Sequence, residues 1–556
     1  MRFRVLTLLA RRPLLEIQFR MTRTDRVFLR PASLLVIALR AARKPQRVTN
    51  PDKPHIVAGE CKLKHAKSVV SRIAPFNRLT SPRISAALIL TVLMLLGAAA
   101  TTLATAQTFT TLHSFNGTDG ANPFAVPIQA TDGNLYGTTG NDGANGQGGT
   151  VFKITPSGKL TTLYSFCSQP GCADGYFPGA ALVQATDGNL YGPVNGGGAN
   201  GQGGTVFKIT LRGELTTLYN FCSQSGCTDG EAPGETLIQA TDGYLYGTTV
   251  YGGTTNCGTI FRITLSGTFT RLHSFNRTDG CNLLGPLMQA ADGNLYGTTE
   301  WGGTSNDGTI FKITPGGKLT TLYNFCSQSG CTDGSAPNTG LVQASDGNFY
   351  GTAPVGGAWG GGVVFKMTPS GAVTTFYSFC SQSGCADGEE PLGTLIQATD
   401  GNLYGTTSGG SYGQPTVFQM TLGGTLNTLH SFCPHGGCAQ LNIYQGVVQA
   451  TDGSFYGTTY SFGASNEGTV YKVSVGLGPF VETQPNFGRV GRAARILGTD
   501  LTGTTGVSFN GTPATFTVLS RSLITAIVPD GATTGFVTVT TPTGTLTSNK
   551  QFVVRQ

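Results

Sequence analysis

A six-residue signature, Asp-Gly-x-(Leu/Phe)-Tyr-Gly, constrains this chain more than any other feature. It recurs at Asp132, Asp187, Asp242, Asp292, Asp346, Asp400 and Asp452. Its tyrosines, Tyr136, Tyr191, Tyr246, Tyr296, Tyr350, Tyr404 and Tyr456, stand 55, 55, 50, 54, 54 and 52 residues apart. A period of this size marks a repeat architecture in which each unit buries its apolar surface against its neighbours. Each unit holds four short runs of strand type. In the second, residues 181–185 (ALVQA) lead through Asp-Gly to 190–192 (LYG), and a Gly-rich loop leads on to 205–210 (TVFKIT). A turn at Arg212-Gly213 then gives 215–221 (LTTLYNF). Asp-Gly between apolar runs is a strong hairpin signal, because such turns need positive φ. Four antiparallel strands repeated about every 53 residues describe β-propeller blades.

The ends of the repeat region point to a ring. The fourth-strand motif first appears at 109–115 (FTTLHSF), ahead of the first Asp-Gly signature, while the seventh unit ends at 470–473 (VYKV) with no fourth strand of its own. The N-terminal strand is therefore expected to complete the last blade, which removes the exposed edges of an open array. The expected fold is all-β: a seven-bladed propeller of four-stranded blades over 107–478, followed by a small immunoglobulin-like β-sandwich over 479–556.

Composition agrees. Glycine supplies 81 of 556 residues, roughly twice its average share. Glycine is costly inside helices, which excludes coiled coil and helical solenoid. Disorder is excluded because 39% of residues are apolar and the glycines recur at fixed spacing. The formal charge of +7 misleads: residues 1–83 hold 19 Lys and Arg against 4 Asp and Glu, leaving 17 against 25, a net of −8, for the rest. A nucleic-acid binder keeps its cations on the folded domain, so nucleic acid is not an expected partner.

The run 84–100 (ISAALILTVLMLLGAAA) follows Arg72, Arg78 and Arg83 and precedes Ala104-Thr105-Ala106. That order reads as a secretory signal over 84–106 cut before Gln107, with an uncleaved membrane anchor as the alternative. Residues 1–83 are too long for an ordinary signal n-region, and a start site called too far upstream explains them.

The (Asn/Tyr/Ser)-(Leu/Phe)-Tyr-Gly and Gly-Thr-(Val/Ile)-(Phe/Tyr)-Lys pairs resemble the GloVer-type tandem repeat of secreted bacterial proteins over residues 109–475. Pro193, Val363, Arg262 and Gln419 depart from the pattern. The resemblance implies fold and export and carries no activity. Further on, 498–501 (GTDL), 507–514 (VSFNGTPA) and 524–529 (ITAIVP) resemble an IPT/TIG immunoglobulin-like domain, which implies a spacer or interaction module.

Of 13 cysteines, Cys61 lies in the leader and ten form five C-x4-C units: Cys167/Cys172, Cys222/Cys227, Cys326/Cys331, Cys380/Cys385 and Cys433/Cys438. In an exported protein these read as local disulfides. Cys257 and Cys281 remain for a sixth, longer-range bridge. Metal binding competes at Cys433-Pro-His435-Gly-Gly-Cys438, but zinc needs about four convergent ligands and these loops sit on separate blades. No metal and no cofactor are expected.

Residues that recur in every unit read as packing or turn chemistry; those unique to one unit are the functional candidates. The signature aspartates are explained by their turns, and His113, His273 and His430 align with strand tyrosines. No Ser-His-Asp set or nucleotide-binding loop stands out. The loops between second and third strands, with the cysteine loops, carry Trp301, Trp359, Tyr251, Tyr412, Tyr460 and Phe462, beside Glu300, Asn306, Asp307, Glu389 and Glu390. Aromatics next to polar groups suit stacking on carbohydrate or grasping a peptide, while filling gaps between Gly-rich loops is the plainer role. The expectation is an exported, non-catalytic monomer binding an extracellular glycan or cell-surface protein. A polysaccharide hydrolase or lyase is the alternative. It requires two of Glu300, Asp307 and Glu389 to converge at roughly 5–10 Å.

Overall fold

The computed structural model describes residues 107–146, 148–201, 203–409, 414–432 and 443–555. The basic extension and signal segment, Tyr412, His435 and the Cys433/Cys438 pair lie outside the described residues.

The described chain is all-β, its only helices single 3-10 turns such as Pro170–Cys172 and Ser225–Cys227 inside the cysteine loops. Among the described residues no helix is long and apolar enough to cross a membrane. Four-stranded antiparallel sheets recur as propeller-like blades at 128–165, 183–220, 238–274, 288–324, 342–378 and 396–431, here called the first to sixth sheets. A further sheet joins Val448–Gln449, Phe455–Thr459 and Thr469–Ser474 to Thr108–Ser114 from the start of the region. The displaced strand pairs antiparallel from Thr108↔Ser474 to Ser114↔Thr469, as the shifted motif predicts.

The signature has a physical reading at each position. The aspartate closes an Asx turn: Asp187 Oδ1 accepts the Asn189 N–H at 3.1 Å, and Gly188 takes φ +87°. The tyrosine is buried and donates its hydroxyl to the same aspartate, 2.8 Å for Tyr191 to Asp187. The second glycine needs no unusual φ. It faces the third-strand aromatic, so that a Cβ at Gly297 would fall 2.6 Å from Phe311 Cζ. Phe207, Phe261 and Phe418 lie over Gly192, Gly247 and Gly405 in the same way. The third-strand lysine reaches back to the turn, with Lys153 Nζ 2.7 Å from Asp132 and Lys208 Nζ 2.9 Å from Asp187.

First strands are shorter than expected, two residues such as Val183–Gln184 where 181–185 was anticipated. The residues ahead of them bond across to the next sheet instead, as Ala181 N–H does to Thr236 Oγ1. The glutamine of that strand joins neighbours. Gln184 Oε1 accepts from Thr131 N–H, Gln239 from Thr186, Gln289 from Thr241, Gln343 from Ala291, Gln397 from Ser345 and Gln449 from Thr399, all at 2.8–3.0 Å. Thr451 N–H then bonds Gln129 Oε1 at 2.8 Å, which returns the series to the first sheet. Each Nε2 donates to the glycine carbonyl of its own turn, as Gln184 does to Gly188 at 2.9 Å.

The apolar core is divided in the same way. Tyr136, Val151 and Phe166 of the first sheet pack with Leu190, Phe207 and Ile209 of the second. Equivalent clusters follow sheet by sheet, and Tyr456 and Val470 pack with Leu135, Phe152 and Ile154. Each interface is thus built from one sheet's tyrosine face and the next sheet's phenylalanine face.

After Val481 two four-stranded sheets and a parallel pair, Phe487–Arg489 with Val553–Arg555, share a core of Ile496, Val507, Phe509, Ile524, Val537, Val539 and Phe552. Among the described residues, the hydrogen bonds between this part and the repeats fall at Asp-Gly turns and their flanks. Gln484 Nε2 donates to Gln129 O (2.9 Å), Arg495 Nη2 to Ala185 O (2.6 Å), and Thr499 Oγ1 meets Thr451 Oγ1 (2.9 Å).

Candidate binding face

Sheet topology puts the Asp-Gly turns at one end of every sheet and, at the other, both the loop between second and third strands and the connection to the next sheet. At this second end the two loops are tied by an antiparallel bridge: Ala121↔Asn141, Tyr176↔Gly196, Glu231↔Tyr251, Cys281↔Trp301 and Ser335↔Val355.

A buried aspartate shapes the long connections after the first, second, fourth and fifth sheets. Asp174 Oδ2 accepts from Tyr164 OH at 2.9 Å, Ser168 N–H at 2.9 Å and Ser168 Oγ at 2.8 Å. Asp229, Asp333 and Asp387 repeat this with Tyr219, Tyr323 and Tyr377. In the two short connections a histidine replaces the tyrosine, with His113 Nε2 2.8 Å from Asp119 and His273 Nε2 3.0 Å from Asp279. These histidines are loop anchors, a role that strand alignment alone does not reveal. His430 instead stacks on Phe109, ring centroids 3.9 Å apart, and burial lowers its pKa.

Five cysteine pairs lie at disulfide distance: Cys167–Cys172, Cys222–Cys227, Cys326–Cys331, Cys380–Cys385 and Cys257–Cys281, with Cα atoms 4.0–4.4 Å apart. Such pairs belong to an oxidising, extracytoplasmic compartment. A carboxylate stands beside three of them: Glu231, Asp307 and Glu389.

The sequence candidates divide. Tyr251, Trp301 and Val355 occupy the same bridge position on the third, fourth and fifth sheets, 38%, 40% and 52% exposed. The equivalent positions on the first and second sheets are Asn141 and Gly196. Trp359, also on the fifth sheet, is the most exposed of them, at 64%. Tyr460, by contrast, packs edge-on against Tyr444 at 5.1 Å, and Phe124 stacks on Tyr444 at 4.9 Å. Reasoning from the repeats missed Phe124 and Tyr444; both occupy the connection into their sheet, where only comparison of the seven copies would show an aromatic out of pattern.

Beside Trp301 lies an open depression of about 330 Å³ lined by Arg277, Cys281, Asn282, Trp301 and Asn306, a size at the lower end for small-ligand sites. Glu300 is half-buried next to it. Burial raises its pKa, and bonds from the side chains of Asn282 and Trp301 oppose the rise. Asp307 and Glu389 are held elsewhere: Asp307 Oδ1 accepts from Ser335 Oγ at 2.7 Å, and Glu389 Oε2 lies 3.6 Å from Cys380 Sγ. Each candidate acid thus has its own separate partners.

A family profile described as the Gloeobacter/Verrucomicrobia repeat matches residues 97–228, 204–343 and 328–515. No curated protein matches the sequence. Among solved structures the chain is similar to PorZ, an essential bacterial surface component of the type-IX secretion system of Porphyromonas gingivalis, at 15% identity and a TM-score of 0.41. The match covers 80% of this chain and 60% of PorZ, so the chain spans less than two thirds of that protein's length. It is also similar to an auxiliary nutrient binding protein from Bacteroides ovatus at 13% identity and a TM-score of 0.33, covering 53% of this chain and 68% of that one.

Proposed function

The chain belongs to the Gloeobacter/Verrucomicrobia repeat family, and on that premise we propose that it is an exported, non-catalytic protein of the bacterial envelope or extracellular space that binds glycan or protein through its loop face. The reading takes the sheets as the blades of a closed seven-bladed propeller and residues 479–556 as an IPT/TIG-like domain. The glutamine series that returns from Thr451 to Gln129 supports closure. The cysteine pairs support export.

One observation carries the binding assignment: a depression lined by an exposed tryptophan, an arginine and two amides lies at the fourth sheet. Repetition accounts for packing residues, and it does not account for this set. The C-terminal domain, bonded at the turn end of the first, second and seventh sheets, leaves the loop end clear of it in those contacts.

The test is a glycan and cell-wall polysaccharide array probed with the full exported chain, repeated with Trp301→Ala and Trp359→Ala. Binding that is lost in these variants, with circular dichroism unchanged, is the expected result. Binding retained in both variants, or turnover of a bound polysaccharide, overturns the assignment.

A further inference from the structure

Charge is distributed unevenly between the two ends of the repeats. Arg277 is the only Lys or Arg in the loops of the binding face, which together carry 14 Asp and Glu. The remaining cations of the repeats lie on strands or at the turn end, among them Lys153, Lys208 and Lys472 beside the signature aspartates. Six of these acids are engaged inside the loops, Asp174, Asp229, Asp333 and Asp387 buried beneath tyrosine hydroxyls and Asp119 and Asp279 beside histidines, and the negative sign of the loops as a whole disfavours a polyanionic ligand.

The apolar residues of this face are arranged in a row. Tyr251, Trp301 and Val355 sit at one register position on three consecutive sheets, so the repeat geometry itself sets a regular step between them. The middle position is fixed more firmly than its neighbours. Trp301 exchanges two backbone bonds with Cys281, 2.8 and 3.0 Å, as Tyr251 does with Glu231, but here the bridge residue Cys281 itself pairs with Cys257 across the interface of the third and fourth sheets. That pair, 24 residues apart in sequence, stands where the connections after the first, second, fourth and fifth sheets carry a local C-x4-C pair. The departure in the disulfide pattern and the departure in surface chemistry therefore fall at the same place.

From this juxtaposition we propose that the loop face binds an extended, uncharged polysaccharide lying across the third, fourth and fifth sheets, with one sugar subsite at each of Tyr251, Trp301 and Val355. The proposal rests on the binding assignment above and names its ligand class. A pyranose ring has one face of C–H groups, which packs on an aromatic or apolar side chain, and an edge of hydroxyls, which seeks amides and carboxylates. Trp301 offers the first, and Asn282, Asn306 and Glu300 offer the second. The Cys257–Cys281 pair holds the central subsite in its bound shape, which reduces the ordering cost of binding.

The experiment is calorimetric titration of the full chain with neutral β-linked gluco-oligosaccharides and N-acetylglucosamine oligomers of two to six units, with a polyuronate of the same length as the anionic control. At least one neutral series should bind, its affinity rising with length and levelling once the subsites are filled, while the polyuronate stays silent. Trp301→Ala should weaken the longest oligomer roughly tenfold or more, as expected of a central aromatic anchor. Tyr251→Ala should weaken the longest oligomers and leave the shortest, held at Trp301 alone, unchanged. The double variant Cys257→Ser/Cys281→Ser, checked for intact fold by circular dichroism, should weaken binding at unchanged length dependence. Length-independent binding, or polyuronate binding at equal strength, overturns the proposal. If no sugar binds but a surface protein is captured in a Trp301-dependent way, the polysaccharide assignment fails while the binding face stands. Capture that no loop-face variant alters removes both.

Discussion

Gly293 and Gly297 stand four residues apart in one hairpin, yet each is required for a different reason. Gly293 adopts φ +80° with open space where a Cβ would go, whereas a Cβ on Gly297 meets the Phe311 ring. Gly293→Ala is therefore expected to cost about 1 kcal/mol of backbone strain, and Gly297→Ala about 1–3 kcal/mol of overpacking. Urea unfolding of the two variants measures both, and Phe311→Leu in the Gly297→Ala background should recover part of the second loss only. The glutamines form a third class of recurrent residue. Gln289→Ala leaves the Thr241 N–H without its acceptor and should destabilise by about 1–3 kcal/mol, read as a fall in Tm. The aspartates respond to pH. Burial pushes Asp187 up, but bonds from Lys208, Asn189 and Tyr191 outweigh it and hold the carboxyl at about 2 against an ordinary 3.8; Asp346 behaves alike. A folded pKa below the unfolded one means that this stabilisation is complete above the unfolded value and disappears as pH falls through the folded one. Stability in urea should hold level down to pH 4 and decline from there toward pH 2, with Asp187→Asn showing a shallower acid limb.

At the scale of elements, the hairpins were legible because their determinants are local. Asp-Gly turns, the Tyr-Gly step and the third-strand Phe-Lys pair act within about 20 residues, so a single repeat displays them. The displaced strand at Thr108–Ser114 was legible by counting motif copies, and it pairs with Thr469–Ser474. What stayed hidden acts between repeats. The glutamine bonds a backbone group in the preceding sheet, and the short first strand follows from bonds to the next sheet. The histidines looked like strand residues because their partners, Asp119 and Asp279, lie beyond the strand in the following loop. Deleting residues 107–115 leaves the last sheet with an unpaired edge; the truncated protein should unfold at lower temperature and aggregate, as light scattering would detect. Of the cysteine pairs, Cys257–Cys281 spans the most sequence, 24 residues. Loop-entropy arguments assign it about 3.5 kcal/mol and the five-residue pairs about 2 kcal/mol. Cys257→Ser/Cys281→Ser should thus lower the Tm more than Cys222→Ser/Cys227→Ser.

For the whole molecule, the repeat places two different chemistries at its two ends. The turn end carries Asp–Tyr–Lys clusters and receives Arg495 and Gln484 from the C-terminal domain. The loop end is glycine-rich, almost free of cations, and aromatic on three adjacent sheets. Sequence reasoning singled out Trp301, Tyr251, Trp359 and Glu300 as candidates, because each breaks the pattern of its repeat. It could not join Trp301 to Arg277, Asn282 and Cys281, since that depression forms only when the connection into the fourth sheet bridges back to the second residue after its second strand. The most direct test of a loop-face binding protein compares the ends. Ligand capture on the polysaccharide array is measured for the full chain, for Trp301→Ala at the loop end and for Lys312→Ala, the third-strand lysine opposite Tyr296 in the fourth sheet, near the turn end. The account predicts capture lost in the first variant and kept in the second. Capture kept in Trp301→Ala and lost in Lys312→Ala would contradict it.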